Sequence, residues 1–302
     1  MRRPHPLHDN VLTRMLALTV GVATALGCGP NVGEETAAET EDDTEIVDQT
    51  QQGIIPGSAV TQTYRLIGVP PGATLVNQQV NCPAGSVVVG GGYLAPGNTR
   101  VYTSVMSGNG WSVSLQNLSN IHTYTLNLVA QCLSGTNATS GVAAPTTVIL
   151  PAGGQGCVPL AGCAAGKVLV SGGYTAPSSF RASQSQLNGD GVWRVCGWNE
   201  NSGSSITVFT YPVCLSGVTG SAKREITSAT IPAGSDVRVD SWPCAGSWLL
   251  GSGGHYNPMR SVYTRGSTRS FQDPTRWSSH FVNLTALPVT ANIITSCLDL
   301  WQ

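Results

Sequence analysis

The sequence is poor in charge, and it lacks the motifs of the common enzyme classes. Only 10% of its 302 residues are charged, whereas about a quarter of a typical soluble domain is charged. The chain contains no P-loop, no dinucleotide-binding fingerprint and no nucleophile elbow. No pair of carboxylates is marked for glycoside hydrolysis. We therefore predict a protein that is not an enzyme and that has no cofactor, metal or nucleic-acid partner.

Helical periodicity is also missing. Beyond the first thirty residues, no window spaces its apolar residues as an amphipathic helix does. Instead, apolar and polar side chains alternate, as from Trp111 to Asn117 and from Tyr124 to Cys132. This period of two is typical of half-buried antiparallel strands. Together with 36 glycines for turns and bulges, it predicts an all-β fold.

A repeat of 81 residues organises the chain. The stretch CPAGSVVVGGGY begins at Cys82, and related stretches begin at Cys163 and Cys244, each 81 residues further on. A Pro-x-Gly turn precedes each stretch, and each unit then has a tryptophan, an asparagine six residues later and a closing cysteine. The tryptophan and asparagine pairs are Trp111 and Asn117, Trp193 and Asn199, and Trp277 and Asn283.

The repeated glycines and asparagines predict structural roles. A glycine pair precedes the last residue of each stretch, at Gly91–Gly92, 172–173 and 253–254. In a strand, such glycines form a bulge or let a backbone or an aromatic ring approach closely, and the tryptophan of each unit is the candidate ring. The recurrence of the asparagine favours a buried amide that bonds to the backbone.

Nine cysteines predict four disulfides and one lipidated residue. With Cys28 set aside, eight cysteines remain, which is typical of a disulfide framework in an exported chain. We pair the opening and closing cysteine of each unit and join the two that are left over. The predicted bonds are Cys82–Cys132, Cys163–Cys214, Cys244–Cys297 and Cys157–Cys196. Spacings near fifty residues do not fit a zinc site.

The extra bond of repeat 2 predicts strand neighbours in the other repeats. The repeat spacing maps Cys157 onto Val76 and Arg238, and Cys196 maps onto Ser114 and His280. We therefore expect Val76 beside Ser114, and Arg238 beside His280.

The N-terminus has the layout of an exported lipoprotein. Arginines precede the apolar run Met15–Gly27, which is too short to span a bilayer and is typical of a signal peptide. The segment ends at Cys28 and resembles a bacterial lipoprotein signal. The acidic stretch that follows predicts a disordered tether. The predicted segments are a signal peptide (1–27), the lipidated cysteine with its tether (28–57), repeat 1 (58–142), repeat 2 (143–217) and repeat 3 (218–302).

The repeat motif resembles uncharacterised repeats in secreted proteins of actinobacteria and myxobacteria. Three β units that each open on a cysteine also resemble, more distantly, the β-prism of vitelline membrane outer layer protein I. That resemblance implies a single pseudo-threefold body of antiparallel sheets, and the alternative is three small β-sandwiches in tandem. We favour the single body, since one unit has little core of its own.

Two non-catalytic functions fit this organisation. The first is a binding module of the cell envelope, for polysaccharide or an acidic glycan, held on the outer membrane through a lipid at Cys28. The alternative is a structural envelope protein without a small ligand. The loop from 260 to 276 holds four arginines. The candidate ligand-binding residues are Arg260, Arg265, Arg269, Tyr263 and Trp198.

Overall fold

The structure, a computed structural model, describes residues 49–52, 59–189, 191–246 and 248–301. The predicted signal peptide and Cys28 lie outside these residues. Within them the fold is all-β, as predicted, and no helix is long and apolar enough to cross a membrane.

Twenty strands follow one another along the described chain. Repeat 1 and the segment before it contribute β1 (Gln49–Gln52), β2 (Ala59–Val69), β3 (Thr74–Asn81), β4 (Ser86–Leu94), β5 (Thr99–Ser107), β6 (Gly110–Asn117) and β7 (Tyr124–Ser134). Repeat 2 contributes β8 (Thr139–Val142), β9 (Thr146–Leu150), β10 (Gln155–Cys157), β11 (Val168–Thr175), β12 (Phe180–Leu187), β13 (Trp193–Asn199) and β14 (Ile206–Ser216). Repeat 3 contributes β15 (Thr219–Ile231), β16 (Asp236–Asp240), β17 (Leu249–Tyr256), β18 (Val262–Arg269), β19 (Trp277–Asn283) and β20 (Val289–Trp301).

The strands form three antiparallel sheets, and each sheet takes strands from two repeats. Sheet A has the order β1-β2-β7-β4-β18-β19-β16, sheet B has β3-β6-β5-β11-β14-β8 with β9 also on β14, and sheet C has β10-β13-β12-β17-β20-β15. Repeats 1 and 3 meet where β4 pairs with β18, repeats 1 and 2 where β5 pairs with β11, and repeats 2 and 3 where β12 pairs with β17. This cyclic exchange is that of a pseudo-threefold prism, and it excludes three tandem sandwiches.

Strand β8 lies at the link between repeats 1 and 2. It precedes residue 143, where repeat 2 was predicted to begin, and we group it with repeat 2 because it pairs with β14 of that repeat.

Each glycine pair admits two close neighbours, as the sequence predicted. The first glycine lies against the indole of its own repeat's tryptophan, and a β-carbon on Gly91, Gly172 or Gly253 would overlap that ring. The second glycine lies against the backbone of the adjoining repeat. A β-carbon on Gly92, Gly173 or Gly254 would overlap the carbonyl group of Ser267, Ser104 or Ser185, respectively.

The tryptophans form the centre of each repeat's core. All three indoles are at most 1% exposed. Each indole Nε1 donates a hydrogen bond to a serine Oγ, on Ser104 at 2.9 Å, Ser185 at 3.3 Å and Ser267 at 3.0 Å. These are the same serines whose backbones abut the second glycines, so one contact region joins the core of a repeat to its neighbour.

The recurring asparagine is a buried backbone clamp. The Asn117 Nδ2 donates to the carbonyl oxygens of Val69, Pro70 and His122 at 3.0, 2.9 and 2.8 Å, and its Oδ1 accepts from the Ser119 amide. Asn199 and Asn283 make the equivalent bonds in the other repeats. The prediction of a buried amide bonded to the backbone is confirmed.

All four predicted disulfides are present. Cys157 and Cys196 are directly opposite each other between β10 and β13, and Arg238 is opposite His280 between β16 and β19, as the repeat alignment predicted. In repeat 1 the equivalent strands are also neighbours. Val76 itself falls in a β-bulge, and the amide of Asn77 donates to Ser114 Oγ at 3.0 Å.

The residue after each glycine pair is buried where the three repeats meet. It is Tyr93 in repeat 1, Tyr174 in repeat 2 and His255 in repeat 3, and all three line one cavity of about 20 Å³. Neither ring nitrogen of His255 has a hydrogen-bond partner within the described part of the chain. Burial lowers the pKa of His255 to about 4 and raises that of Tyr93 to about 12.

We expect the second glycine of a pair to tolerate no β-carbon. Gly173→Ala would drive a methyl group into the Ser104 carbonyl and the Val105 Cα, and both are backbone atoms that cannot swing aside. The free energy of unfolding should fall by at least about 2 kcal/mol in denaturant titration. Gly68→Ala is the control, because nothing lies within 4 Å of its β-carbon, and it should be neutral or slightly stabilising. Equal stability of the two variants would contradict this packing.

We also expect stability to fall in acid through His255. Its pKa of about 4 in the folded chain lies below its ordinary 6.5, so the unfolded state binds more protons between these values. Stability is therefore complete above pH 6.5 and is lost as the pH falls toward 4, by up to about 3 kcal/mol. Urea titrations of the wild type and His255→Gln at several pH values measure this loss, which should be smaller in the variant. An unchanged pH dependence would assign the loss to other groups, such as His280, whose pKa is also lowered to about 4, chiefly by burial.

Candidate binding site

A β-bulge at the same place in each repeat determines the outer face of each sheet. The bulges interrupt the pairing of β5 with β6, of β12 with β13, and of β18 with β19. The extra residue is Tyr102 in sheet B, Ser183 in sheet C and Arg265 in sheet A. Tyr102 is 8% exposed and its side chain lies near Ser114 on β6, and Arg265 forms an ion pair with Asp236 on β16. In sheets A and B a large side chain therefore covers this part of the face.

Sheet C has a groove at this position, because Ser183 is too small to cover it. The groove has a volume of about 410 Å³, within the range of small-ligand sites. The lining side chains come from four neighbouring strands of repeats 2 and 3. We call this feature the sheet C groove and define it by Gln155, Gln184, Gln186, Arg194, Trp198 and Tyr256.

Strand alternation directs these side chains away from the prism axis. Trp193 and Asn199 of β13 face the core, so Arg194, Cys196 and Trp198 face the opposite way. Trp198 is 7% exposed, and its Nε1 donates to Gln155 Oε1 at 2.8 Å. The edge strand β10 therefore fixes the orientation of the indole.

The two glutamines of β12 are buried at the bottom of the groove. Gln186 is 6% exposed, and its Oε1 has no hydrogen-bond partner within the described ranges. Gln184 Oε1 lies 3.1 Å from Cys196 Sγ. That sulfur belongs to a disulfide and carries no hydrogen, so the contact is not a hydrogen bond. The groove therefore offers amide oxygens that a ligand with hydroxyl groups can satisfy.

Arg194 contributes a positive charge to the groove. Its Nη2 lies 3.6 Å from Cys157 Sγ, and none of the ion pairs within the described residues includes it. At the other end of the groove, Asn257 holds the loop after Tyr256. With its amide turned to donate, Asn257 Nδ2 lies 3.2 Å from the Met259 oxygen and 3.0 Å from the Val262 oxygen.

The candidate ligand residues from the sequence do not form one site. Trp198 lies in the sheet C groove and Arg260 is exposed on a loop. Tyr263 lines a separate cavity of about 120 Å³, where Arg181 lies 5.2 Å above its ring. The guanidinium of Arg265 forms an ion pair with the carboxylate of Asp236.

Arg269 is a correction to the predicted ligand set, because it is fully buried. Its guanidinium donates to Pro274 O at 2.5 Å, to Val60 O at 3.1 Å and to Gln131 Oε1 at 3.2 Å. The arginine cluster of the sequence is therefore not an exposed basic loop, since strand alternation and pairing direct these side chains to different surroundings.

Sequence reasoning missed Gln184, Gln186, Arg194 and Tyr256. Each is an unremarkable polar residue on a strand, and no motif marks it. A signal was nevertheless present in the repeat alignment. The extra cysteine pair singles out this sheet, and the repeat spacing places Ser183 where repeat 1 has Tyr102 and repeat 3 has Thr264. The match with Arg265 comes from the bulge in the pairing of β18 with β19.

Comparisons with known proteins assign no family to this chain. No family model matches it, and no curated protein is significantly similar to it. Within the described residues, no group of three or more histidine, cysteine or acidic side chains could hold a metal ion.

The disulfide Cys157–Cys196 should hold the groove in shape. Strand β10 has three residues and pairs only with β13 among the described strands, and it carries Gln155, which orients Trp198. We expect replacement of both cysteines by serine to cost about 3–4 kcal/mol in stability through the entropy of the unfolded chain. Hydrogen exchange should rise mainly at Gln155–Cys157 and along the facing part of β13. A uniform rise over all three sheets would contradict a local role.

Proposed function

We propose that this chain is an exported envelope protein that binds a polysaccharide in the sheet C groove and catalyses no reaction. The observation that carries the proposal is the opening of the outer face at Ser183, where the two equivalent positions are covered by a tyrosine and an arginine. A groove of about 410 Å³ has room for one or two sugar rings.

The chemistry of the groove suits sugar hydroxyls. Glutamine side chains offer both donors and acceptors, and the partly exposed ring of Tyr256 provides an apolar surface at one end of the groove. The groove residues that the structure describes include no carboxylate. Four acidic residues elsewhere are held by arginines in ion pairs, namely Glu200, Asp236, Asp240 and Asp273. This arrangement favours recognition over hydrolysis, which needs two free carboxyl groups.

Four disulfides are compatible with a location outside the cytoplasm. We propose in addition that a lipid on Cys28 holds the chain on the outer membrane and that the acidic segment separates the prism from the bilayer. Mass spectrometry of the protein extracted from membranes tests this anchor, because a diacylglyceryl group on Cys28 adds a defined mass to the N-terminal peptide.

Ser183→Tyr tests the binding site with a residue taken from the equivalent position in repeat 1. The purified chain with its disulfides intact is first screened against immobilised polysaccharides, peptidoglycan and lipopolysaccharide. For the polymer that it retains, Ser183→Tyr should weaken binding by at least about tenfold, because the ring would fill the groove and displace the ligand's hydrogen bonds.

Tyr102→Ser is the matched control, since it opens the equivalent face of sheet B and leaves the groove unchanged. It should bind the polymer as the wild type does. A folded Ser183→Tyr variant with wild-type affinity would overturn the assignment of the groove. If the folded wild type retains none of the polymers, the result favours a structural envelope protein without a small ligand instead.

A further inference from the structure

We propose that the sheet C groove recognises a uronic acid residue within the polysaccharide. This inference rests on the proposed function and specifies its ligand class. In it, Arg194 binds the sugar carboxylate, and Gln186 accepts a hydrogen bond from a neighbouring hydroxyl group.

The first observation is the unmatched charge of Arg194. Five ion pairs occur within the described residues, and they involve Arg100, Arg181, Arg238, Arg265 and Arg276. Arg194, by contrast, lines the groove, and its Nη2 lies 3.6 Å from the disulfide sulfur of Cys157. A guanidinium presents its donors as a planar fork that matches a carboxylate. The groove therefore provides a cation where the bound sugar would lie.

The second observation is the unsatisfied oxygen of Gln186. The residue lines the groove and is 6% exposed, and its Oε1 has no partner among the described atoms. A buried acceptor without a donor is destabilising, and a ligand hydroxyl would satisfy it. The position of Gln186 thus favours a ligand that has a hydroxyl group as well as a negatively charged group.

The third observation is that these two groups are cross-strand neighbours. Gln186 of β12 is directly opposite Arg194 of β13, and side chains at such positions start about 5 Å apart. A hexuronic acid residue within a 1,4-linked polymer carries its carboxylate and two free hydroxyl groups on one ring, so one sugar can reach both side chains at once. A simple carboxylate would leave Gln186 unsatisfied, and a neutral sugar would leave Arg194 unmatched.

The pseudo-symmetry shows that this pair is specific to one sheet. The residues equivalent to Arg194 are Ser112 and Ser278, and those equivalent to Gln186 are Val105 and Thr268. Neither of the other two sheets combines a cation with a buried amide oxygen at this site. We therefore expect one uronic acid site per chain.

The test compares polygalacturonate with its carboxyl-reduced, neutral form, and uses dextran sulfate as a probe of charge alone. At physiological salt, the wild type should bind polygalacturonate at least about tenfold more tightly than the reduced polymer. Arg194→Gln should abolish this preference, so that the variant binds the charged and the reduced polymer with equal affinity. Gln186→Leu should weaken binding to both. Thermal unfolding monitored by circular dichroism verifies that each variant is folded.

Arg65→Gln is the control for net charge, since Arg65 lies on β2 of sheet A, outside the groove. It should bind polygalacturonate as the wild type does. If the wild type binds the charged and the reduced polymer equally, and Ser183→Tyr abolishes this binding, the uronic acid proposal is wrong but the proposed function stands. If dextran sulfate binds more tightly than polygalacturonate, the uronic acid proposal is also wrong. Failure to bind any polymer would instead remove the proposed function itself.

Discussion

The contact between a glycine pair and a tryptophan ring is the constraint on which this structure depends. The first glycine admits the indole of its own repeat, and the second admits the backbone of the next repeat. No repeat builds a complete sheet alone, so the three sheets exist only where these close approaches join them. A β-carbon at any of the six positions would separate either a ring from its strand or one repeat from another.

The repeated residues fix the interior, which leaves the outer faces free to differ. The three tryptophans, the three clamp asparagines and the three shared disulfides recur in equivalent places, and they maintain the same backbone in each unit. The bulged residue is not repeated, and it is Tyr102, Ser183 or Arg265. One backbone thus presents three different surfaces, and only the smallest of these side chains leaves a groove.

The same division between interior and outer face bears on the stability of sheet C. Buried glutamines with an unsatisfied oxygen weaken a fold unless a ligand or water completes them. Here the disulfide Cys157–Cys196 ties the edge strand next to the groove, at the place where the other repeats have no covalent link. The extra bond compensates locally for buried polar side chains that the fold itself leaves without partners.

The sequence alone determined the all-β class, the repeat register, the disulfide pairs and the roles of the glycines and asparagines. These features follow from local periodicity and from residues that recur at fixed spacing. It did not determine the groove, and it placed Arg269 in a ligand site although the side chain is buried. Only the tertiary structure decided these points, because sheet pairing brings together residues of two repeats, and strand alternation determines whether each side chain faces the core, a neighbouring strand or the groove.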